Sequence, residues 1–258
     1  MTKPSSTHLV LIPSYNPGIK VYETVRAARQ HWDPVWVVID GSTDDSVQAL
    51  QAMARDDAGL NVIYLPKNQG KGAAVLHGLD MAAGAGYTHV LTMDSDGQHP
   101  PDLSPAFMAE SIRQPQAMIL GKPVFDASAP RIRVNGRRLC NMWANVETLW
   151  AGIGDSLFGF RIYPIEPLRR IMRYLPWMRR FDFDPEAVVR LSWSGIKAVN
   201  LPAPVLYFNA AQGGVSHFRY LRDNILLTSM HVRLLIGFLL RLPWLLVQRV
   251  LRGKQFAD

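Results

Sequence analysis

Four short apolar runs recur through the first hundred residues, each followed by a polar or glycine-rich turn, and this alternation constrains the fold more than any other feature. The runs are His8 to Ile12, Val35 to Ile39, Asn61 to Leu65 and Val90 to Met93. Between them, near Ile19 to Gln30, Ser46 to Arg55 and Gly72 to Ala83, the apolar residues recur at helical spacing. Such strand–helix alternation predicts an α/β fold, a mostly parallel sheet flanked by helices on both faces. In sheets of this kind ligands bind beyond the carboxyl ends of the strands. The four turns after the runs, Pro13-Ser14-Tyr15-Asn16, Asp40-Gly41-Ser42-Thr43-Asp44, Lys67-Asn68-Gln69-Gly70-Lys71-Gly72 and Asp94-Ser95-Asp96, are therefore expected along one rim.

Beyond Pro100 the pattern predicts a helix from Leu103 to Arg113 and a strand from Ala117 to Gly121. Arg131, Arg133, Arg137 and Arg138 then crowd into eight residues that read as a solvated basic turn. A β-rich stretch, Leu157 to Tyr163, precedes a helix from Glu166 to Tyr174. In Phe181-Asp182-Phe183-Asp184-Pro185-Glu186, Asp184 is placed to cap a helix running to Trp193, with Pro185 at its first position. The length of 258 residues suits one large domain, read here as residues 1–216, with an extension at 217–258. The single cysteine, Cys140, allows no internal disulfide, and Leu9 to Ile12 is too short for the core of a signal peptide, so the expected location is the cytosolic side.

The net charge is +7. Much of the excess sits in the extension, where Arg219, Arg222, Arg233, Arg241, Arg249, Arg252 and Lys254 face only Asp223 and Asp258 among many leucines. None of the helix-turn-helix, zinc-finger or RNA-recognition signatures is present, so no nucleic-acid partner is expected. A basic, leucine-rich segment fits an anionic membrane surface. From Tyr220 to Arg252 the chain is apolar nearly all round, with a thin polar line at Arg222, Ser229 and Arg233, and Pro243 is expected to interrupt the helix. A central arginine costs about 2.5 to 3.5 kcal/mol on membrane-insertion scales, so an interfacial, monotopic or peripheral helix is expected rather than a span. A helix buried on the domain, or one that joins two copies into an oligomer, is the competing reading.

Each rim turn has a plain structural reading and a chemical one. Pro13 and Asn16 shape a turn in which Tyr15 can face a base. Asp40 can accept a hydrogen bond from a base N–H, while Ser42 and Asp44 can equally cap the next helix. Gly70-Lys71-Gly72 puts flexible backbone and a cation at a helix start, a phosphate contact without P-loop spacing. The absence of a GxGxxG after the first strand argues against a nicotinamide enzyme. Asp94 and Asp96 leave a buried strand one residue apart, and Gly97 with Pro100-Pro101 bends the chain so that both can face one cleft. Hard cations such as Mg²⁺ or Mn²⁺ take oxygen ligands of this type jointly with substrate phosphates.

The four turns in order, with Val38-Ile39 before Asp40 and Gly97-Gln98-His99-Pro100 after Asp96, resemble the signature of family 2 glycosyltransferases. The resemblance spans roughly Leu9 to Phe208 and is strongest to the branch with dolichol-phosphate mannosyltransferases and bacterial polyprenyl-phosphate glycosyltransferases. It implies a GT-A fold, Rossmann-like, with a basic apolar helical tail added here at the C-terminus. It also implies a UDP- or GDP-linked sugar donor, a divalent metal, and inversion at the anomeric carbon. Carried onto this chain, it puts Pro13, Tyr15, Asn16, Asp40 and Ser42 around the nucleoside, with Lys71 and Asp94 nearby. Asp96 becomes the principal metal ligand and Gln98 a second one. Asp155 to Arg161 would line the acceptor side of the sugar pocket.

For a hydroxyl acceptor Asp184 is the candidate general base, with Glu186 as second choice. For a lipid phosphate, already ionised, Asp184 would orient instead, and Arg131, Arg133, Arg137 and His217 would hold the acceptor phosphate. The chain lacks both a terminal pair of spanning helices and the Gln-x-x-Arg-Trp motif of processive synthases, so a single transfer to a lipid-linked acceptor is expected. Gly213-Gly214-Val215-Ser216-His217-Phe218 resembles family 2 enzymes that make bacterial lipid-linked products. The competing functions are a nucleotide-binding membrane scaffold that has lost catalysis and a sugar nucleotidyltransferase. The latter needs a glycine- and arginine-containing loop that does not follow Ile12.

Overall fold

The computed structural model describes residues 4–125, 131–206 and 219–254, without the side chains of 131–133, 220 and 250–254. Seven strands form one sheet: β1 (His8–Ser14), β2 (Val35–Asp40), β3 (Leu60–Leu65), β4 (His89–Thr92), β5 (Ala117–Val124), β6 (Arg161–Pro164) and β7 (Lys197–Pro204), in the order β3-β2-β1-β4-β6-β5-β7. Its helices are α1 (Lys20–His31), α2 (Ser46–Asp56), α3 (Lys71–Gly84), α4 (Ser104–Arg113), α5 (Arg131–Glu147), α6 (Ile165–Tyr174), α7 (Phe183–Trp193) and α8 (Tyr220–Lys254).

The first strands are apolar on both sides because both sides are covered. In β1, Leu9 and Leu11 join one core, and Val10 and Ile12 the other; in β2, Trp36 and Val38 separate from Val37 and Ile39 in the same way. Helices α3, α6, α7 and α8 pack on the first face, and α1, α2 and α4 on the second. The strong amphipathicity of α6 follows from Ile165, Leu168 and Met172, all buried at helical spacing.

All the pairings are parallel except those of β6, which runs antiparallel to both β4 and β5. That reversal sets Arg161, the first residue of β6, beside Thr92, the last of β4. The loop entering β6 is thereby delivered to the rim where β1, β2, β3 and β4 end.

Three local expectations are corrected. The arginine-rich stretch is not a turn but the start of the seventeen-residue helix α5. Pro243 does not interrupt α8, which continues through it. Asp184 is not the cap of α7: the helix begins one residue earlier, and Asp182 precedes it.

Helix α8 is part of the fold's core. Met230, Leu234, Phe238 and Leu245 are buried in the same cluster as α3, α6 and α7. Its opposite side is apolar and open, with Ile225, Val232, Ile236, Leu239, Leu240 and Trp244 all exposed. Leu221–Arg249 is long and apolar enough to cross a membrane, and contains an 18-residue stretch with a mean hydropathy of 1.7. The arginines that would oppose insertion reach back to protein. Arg233 lies 3.2 Å from Glu186, and Arg241 stacks 5.0 Å from the ring centre of Trp193.

Candidate active site

The first three turns are fastened to one another. Asn16, at a φ of 41°, donates its backbone N–H to Ser42 Oγ at 3.0 Å, and its Oδ1 accepts the Thr43 N–H at 2.7 Å. Asp44 accepts the Gly18 N–H at 3.1 Å and also bonds Ser46, so it stabilises both the first turn and the start of α2. Asp40, at the end of β2, accepts the backbone N–H groups of Gln69 at 2.9 Å and Gly70 at 2.7 Å. Burial pushes the Asp40 carboxyl up, and those two N–H groups and the charge of Arg180 pull it back. Gly41, with a φ of +66°, lies where a Cβ would come within 2.3 Å of the Asn68 nitrogen, so only glycine lets the second and third turns meet.

The fourth turn meets the start of α3 and α7 in a compact ionic cluster. The Lys71 ammonium bridges Asp94 Oδ1 and Asp184 Oδ2, 2.7 Å from each. Burial alone would lower the lysine, but the two carboxylates outweigh it and hold the ammonium above its ordinary range. Asp94 is held below the usual carboxylate range: burial opposes ionisation, and Lys71, His99 and Arg161 more than offset it. His99 Nδ1 accepts the Asp94 backbone N–H at 2.9 Å, and burial draws the ring down to about 4, so it is neutral near pH 7. Asp184 Oδ1 is buried and has no hydrogen-bond partner among the described residues.

Beneath the cluster Arg161 is fully buried and donates to the Asp184 carbonyl at 2.8 Å, the Tyr163 hydroxyl at 3.0 Å and the Asp155 carbonyl at 3.2 Å. Asp155 in turn organises the loop entering β6. Its carboxylate accepts the backbone N–H of Leu157 at 2.9 Å and of Phe158 at 2.6 Å, and pairs with Arg137 at 2.6 Å and Asn141 at 2.9 Å. This loop closes on the ion pair at Gly159, where a Cβ would sit 2.9 Å from both Asp94 Oδ2 and Lys71 Nζ. These hydrogen bonds explain why strand β6 starts at Arg161 rather than at Leu157.

Asp96 is half-buried next to this cluster, and Gly97, at a φ of +78°, turns the chain there. Burial and then the charge of Asp94 push the Asp96 carboxyl up to about 6, partly opposed by the Gln98 backbone N–H that it accepts at 3.0 Å. Among the described residues no three acidic, histidine or cysteine side chains converge as a closed metal cage. Carboxylates crowded at one rim, one raised by burial and by its acidic neighbour and another with an orphaned oxygen, nevertheless fit a hard cation that completes its shell with substrate phosphates and water.

The structure thus brings Lys71, Asp94, Asp96 and Asp184 together, with Asp40, Asn16 and Ser42 in the adjoining turns. Pro13 lies buried in β1, and Tyr15 half-buried just after it. Glu186 stands apart, fully buried between Arg190 at 2.7 Å and Arg233 at 3.2 Å. Arg137 reaches the cluster's edge through Asp155. The side chains of Arg131 and Arg133, and His217 with its whole segment, lie outside the described residues. Three contributors entered the sequence reading only as members of longer stretches: Arg161 and Gly159 in the one assigned to the acceptor side, and His99 in the motif that follows Asp96. A lone arginine opening an otherwise apolar strand was the signal available for the first.

Comparison with known proteins bears on the family and the fold. Residues 9–172, more than half of the chain, match the family model described as Glycosyl transferase family 2. A polyprenol monophosphomannose synthase of Mycolicibacterium smegmatis is 25% identical over 220 residues, 83% of this chain and 82% of that protein. An undecaprenyl-phosphate mannosyltransferase of Micrococcus luteus is 25% identical over 75% of this chain and 81% of its own length. An undecaprenyl-phosphate 4-deoxy-4-formamido-L-arabinose transferase of Pseudomonas fluorescens is 35% identical over 40% of this chain, which spans only 31% of that longer protein. Among solved structures, glucosyl-3-phosphoglycerate synthase from Mycobacterium tuberculosis, in complex with Mn²⁺, UDP-glucose and phosphoglyceric acid, superposes with a TM-score of 0.61 at 18% identity, covering 91% of this chain and 80% of that one. The likeness extends the expected GT-A architecture to nearly the whole chain, and the family match carries the rest: this chain belongs to glycosyl transferase family 2.

Proposed function

We propose that the protein transfers one sugar from a UDP- or GDP-linked donor to a polyprenyl phosphate or related lipid-linked acceptor at the cytoplasmic face of the membrane, with inversion and with Mg²⁺ or Mn²⁺. The observation that carries this reading is the Lys71 bridge between Asp94 and Asp184, with Asp96 beside it, at the carboxyl ends of β1, β2 and β4. The names of the mannosyl- and arabinosyltransferase relatives support the acceptor class.

The turns fastened by Asn16, Ser42 and Asp40 present backbone and Tyr15 to the nucleoside. Asp96, with Gln98 as second oxygen donor, would hold the cation, and Lys71 would share the diphosphate charge. When bound, the cation neutralises charge that develops on the departing nucleoside diphosphate. Asp184 is committed to Lys71 at 2.7 Å, which favours orienting the acceptor over taking its proton. A phosphate acceptor needs no proton removed, so this arrangement suits a lipid phosphate better than an alcohol. Arg137, with Arg131, Arg133 and His217, is proposed to receive that phosphate. The exposed apolar side of α8 would lie in the headgroup region and keep the acceptor near the cleft.

The test combines full-length protein, Mn²⁺ or Mg²⁺, a panel of UDP- and GDP-sugars, and polyprenyl phosphate in mixed micelles. Metal-dependent formation of a glycosylated lipid phosphate is expected. Folded protein that forms none with any donor would overturn the proposal.

A further inference from the structure

We infer that Arg233 of α8 is a positioning residue for the Lys71–Asp184 pair, through which the seating of α8 on lipid bears on the active site. This rests on the reading of that pair as the reacting centre and of the outer side of α8 as lipid-facing. Arg233 is an unexpected residue for its place. It sits between Val232 and Ile236, both more than half exposed on the apolar side, yet its own guanidinium turns inward. There it lies 3.2 Å from Glu186, 3.8 Å from Asp182 and 5.0 Å from the centre of the Trp177 ring.

Asp182 makes this contact consequential. Its two carboxylate oxygens accept the backbone N–H of Met178 at 3.1 Å and of Arg180 at 3.0 Å, which holds residues 178–182 in a tight turn. That turn borders the neighbours of both members of the pair. On one side the Arg179 carbonyl accepts the Ala73 N–H at 3.1 Å, and the turn presses on the two glycines that flank Lys71. A Cβ on Gly70 would lie 2.4 Å from the Arg179 oxygen, and one on Gly72 2.1 Å from the Met178 oxygen. On the other side the turn runs straight into α7, where Asp184 follows Asp182 by two residues. A shift of α8 that moves Arg233 therefore reaches Lys71 through the glycines and Asp184 through its own helix. Close-packed interfaces transmit such shifts rather than absorb them.

The fold keeps other anchors when Arg233 is replaced. Without it Glu186 keeps Arg190 at 2.7 Å, and Asp182 keeps both of its backbone N–H partners. The helix itself stays anchored by Met230, Leu234 and Phe238 and by the pairing of His231 with Glu147 at 2.9 Å. An Arg233→Gln variant should fold, melt close to the wild type and still bind membranes, which separates positioning from stability.

The experiment compares full-length wild type, Arg233→Gln and Arg233→Lys, with and without vesicles of mixed zwitterionic and anionic phospholipid. Two readouts are taken: backbone hydrogen exchange at residues 70–73 and 178–183, and turnover of donor with micellar polyprenyl phosphate. In the wild type, vesicles are expected to slow exchange in both segments and raise kcat severalfold with little change in donor KM. Arg233→Gln should cosediment with vesicles equally well, yet show neither response, and Arg233→Lys should recover part of both. Wild-type exchange that ignores vesicles, or an Arg233→Gln variant that responds like wild type, would overturn the inference. Because exchange is read without any transfer, a protein that shows the exchange pattern but transfers no sugar would refute the proposed function and leave the coupling standing.

Discussion

Replacing Lys71 by Met removes the ammonium that two carboxylates share and leaves an apolar chain of similar length in its place. Asp184 is then a buried carboxylate facing a second one, with its partner gone. Breaking a buried ion pair by removing one member costs about 3 to 5 kcal/mol. The lower end applies here, because the Asp94 side chain is 31% exposed and retains Arg161 nearby. For a chain of this size about 3 kcal/mol corresponds to a fall in Tm of roughly 6 to 12 °C. The design is completed by Asp184→Asn and the double variant. If the cost is the orphaned charge, Lys71→Met/Asp184→Asn should recover a large part of the lost stability, giving a coupling energy of about 1 to 3 kcal/mol in the double-mutant cycle. Urea titrations of the four proteins measure it. A Lys71→Met variant that melts within a degree of the wild type, or a double variant no more stable than the single, would refute the reasoning.

Three further outcomes are expected. Gly159→Ala should depress turnover strongly with a modest change in Tm, since its methyl group meets Lys71 and Asp94 at 2.9 Å; kinetics beside a melting curve will tell, and unchanged kcat would contradict it. Phe238→Ala, on the inner side of α8, should cost about 3 to 5 kcal/mol in chemical denaturation, whereas a loss under 1 kcal/mol would mean that α8 is only loosely attached. Burial and then the neighbouring His89 lower His8 from 6.5 to about 4, so the unfolded chain binds the proton first as pH falls. Stability is therefore full above pH 6.5 and declines towards pH 4 by up to about 3 kcal/mol, a loss that His8→Gln should reduce; a urea midpoint that ignores pH in this window would exclude it.

The first half of the fold was legible because β1, β2 and β4 are buried on both sides and must be apolar throughout, while their polar turns stand out by contrast. Strand β7 was not, because it is an edge strand in which Lys197, Asn200, Pro202 and Pro204 erase any apolar alternation. Helix α5 was hidden by its arginines and Gly136, although Cys140, Ala144 and Glu147 mark its buried side. The tail shows a different limit. Composition counts Arg233 and Arg241 as obstacles to lipid, but only the packing reveals that both turn toward protein and leave the outer side apolar. At the site, the order of the turns pointed to Asp94, Asp96 and Lys71. The pairing of Asp184 with Lys71 joins residues 113 positions apart, which spacing along the chain does not encode.

In the proposed function a cation and a nucleoside diphosphate meet at Asp96 and Asp94. Calorimetric titration of UDP and GDP into wild type and Asp96→Asn, each with and without Mn²⁺, tests this most directly. The predicted result is binding of one nucleotide that requires Mn²⁺ in the wild type and is lost in a stably folded Asp96→Asn. Binding that is indifferent to both the metal and the substitution would contradict it.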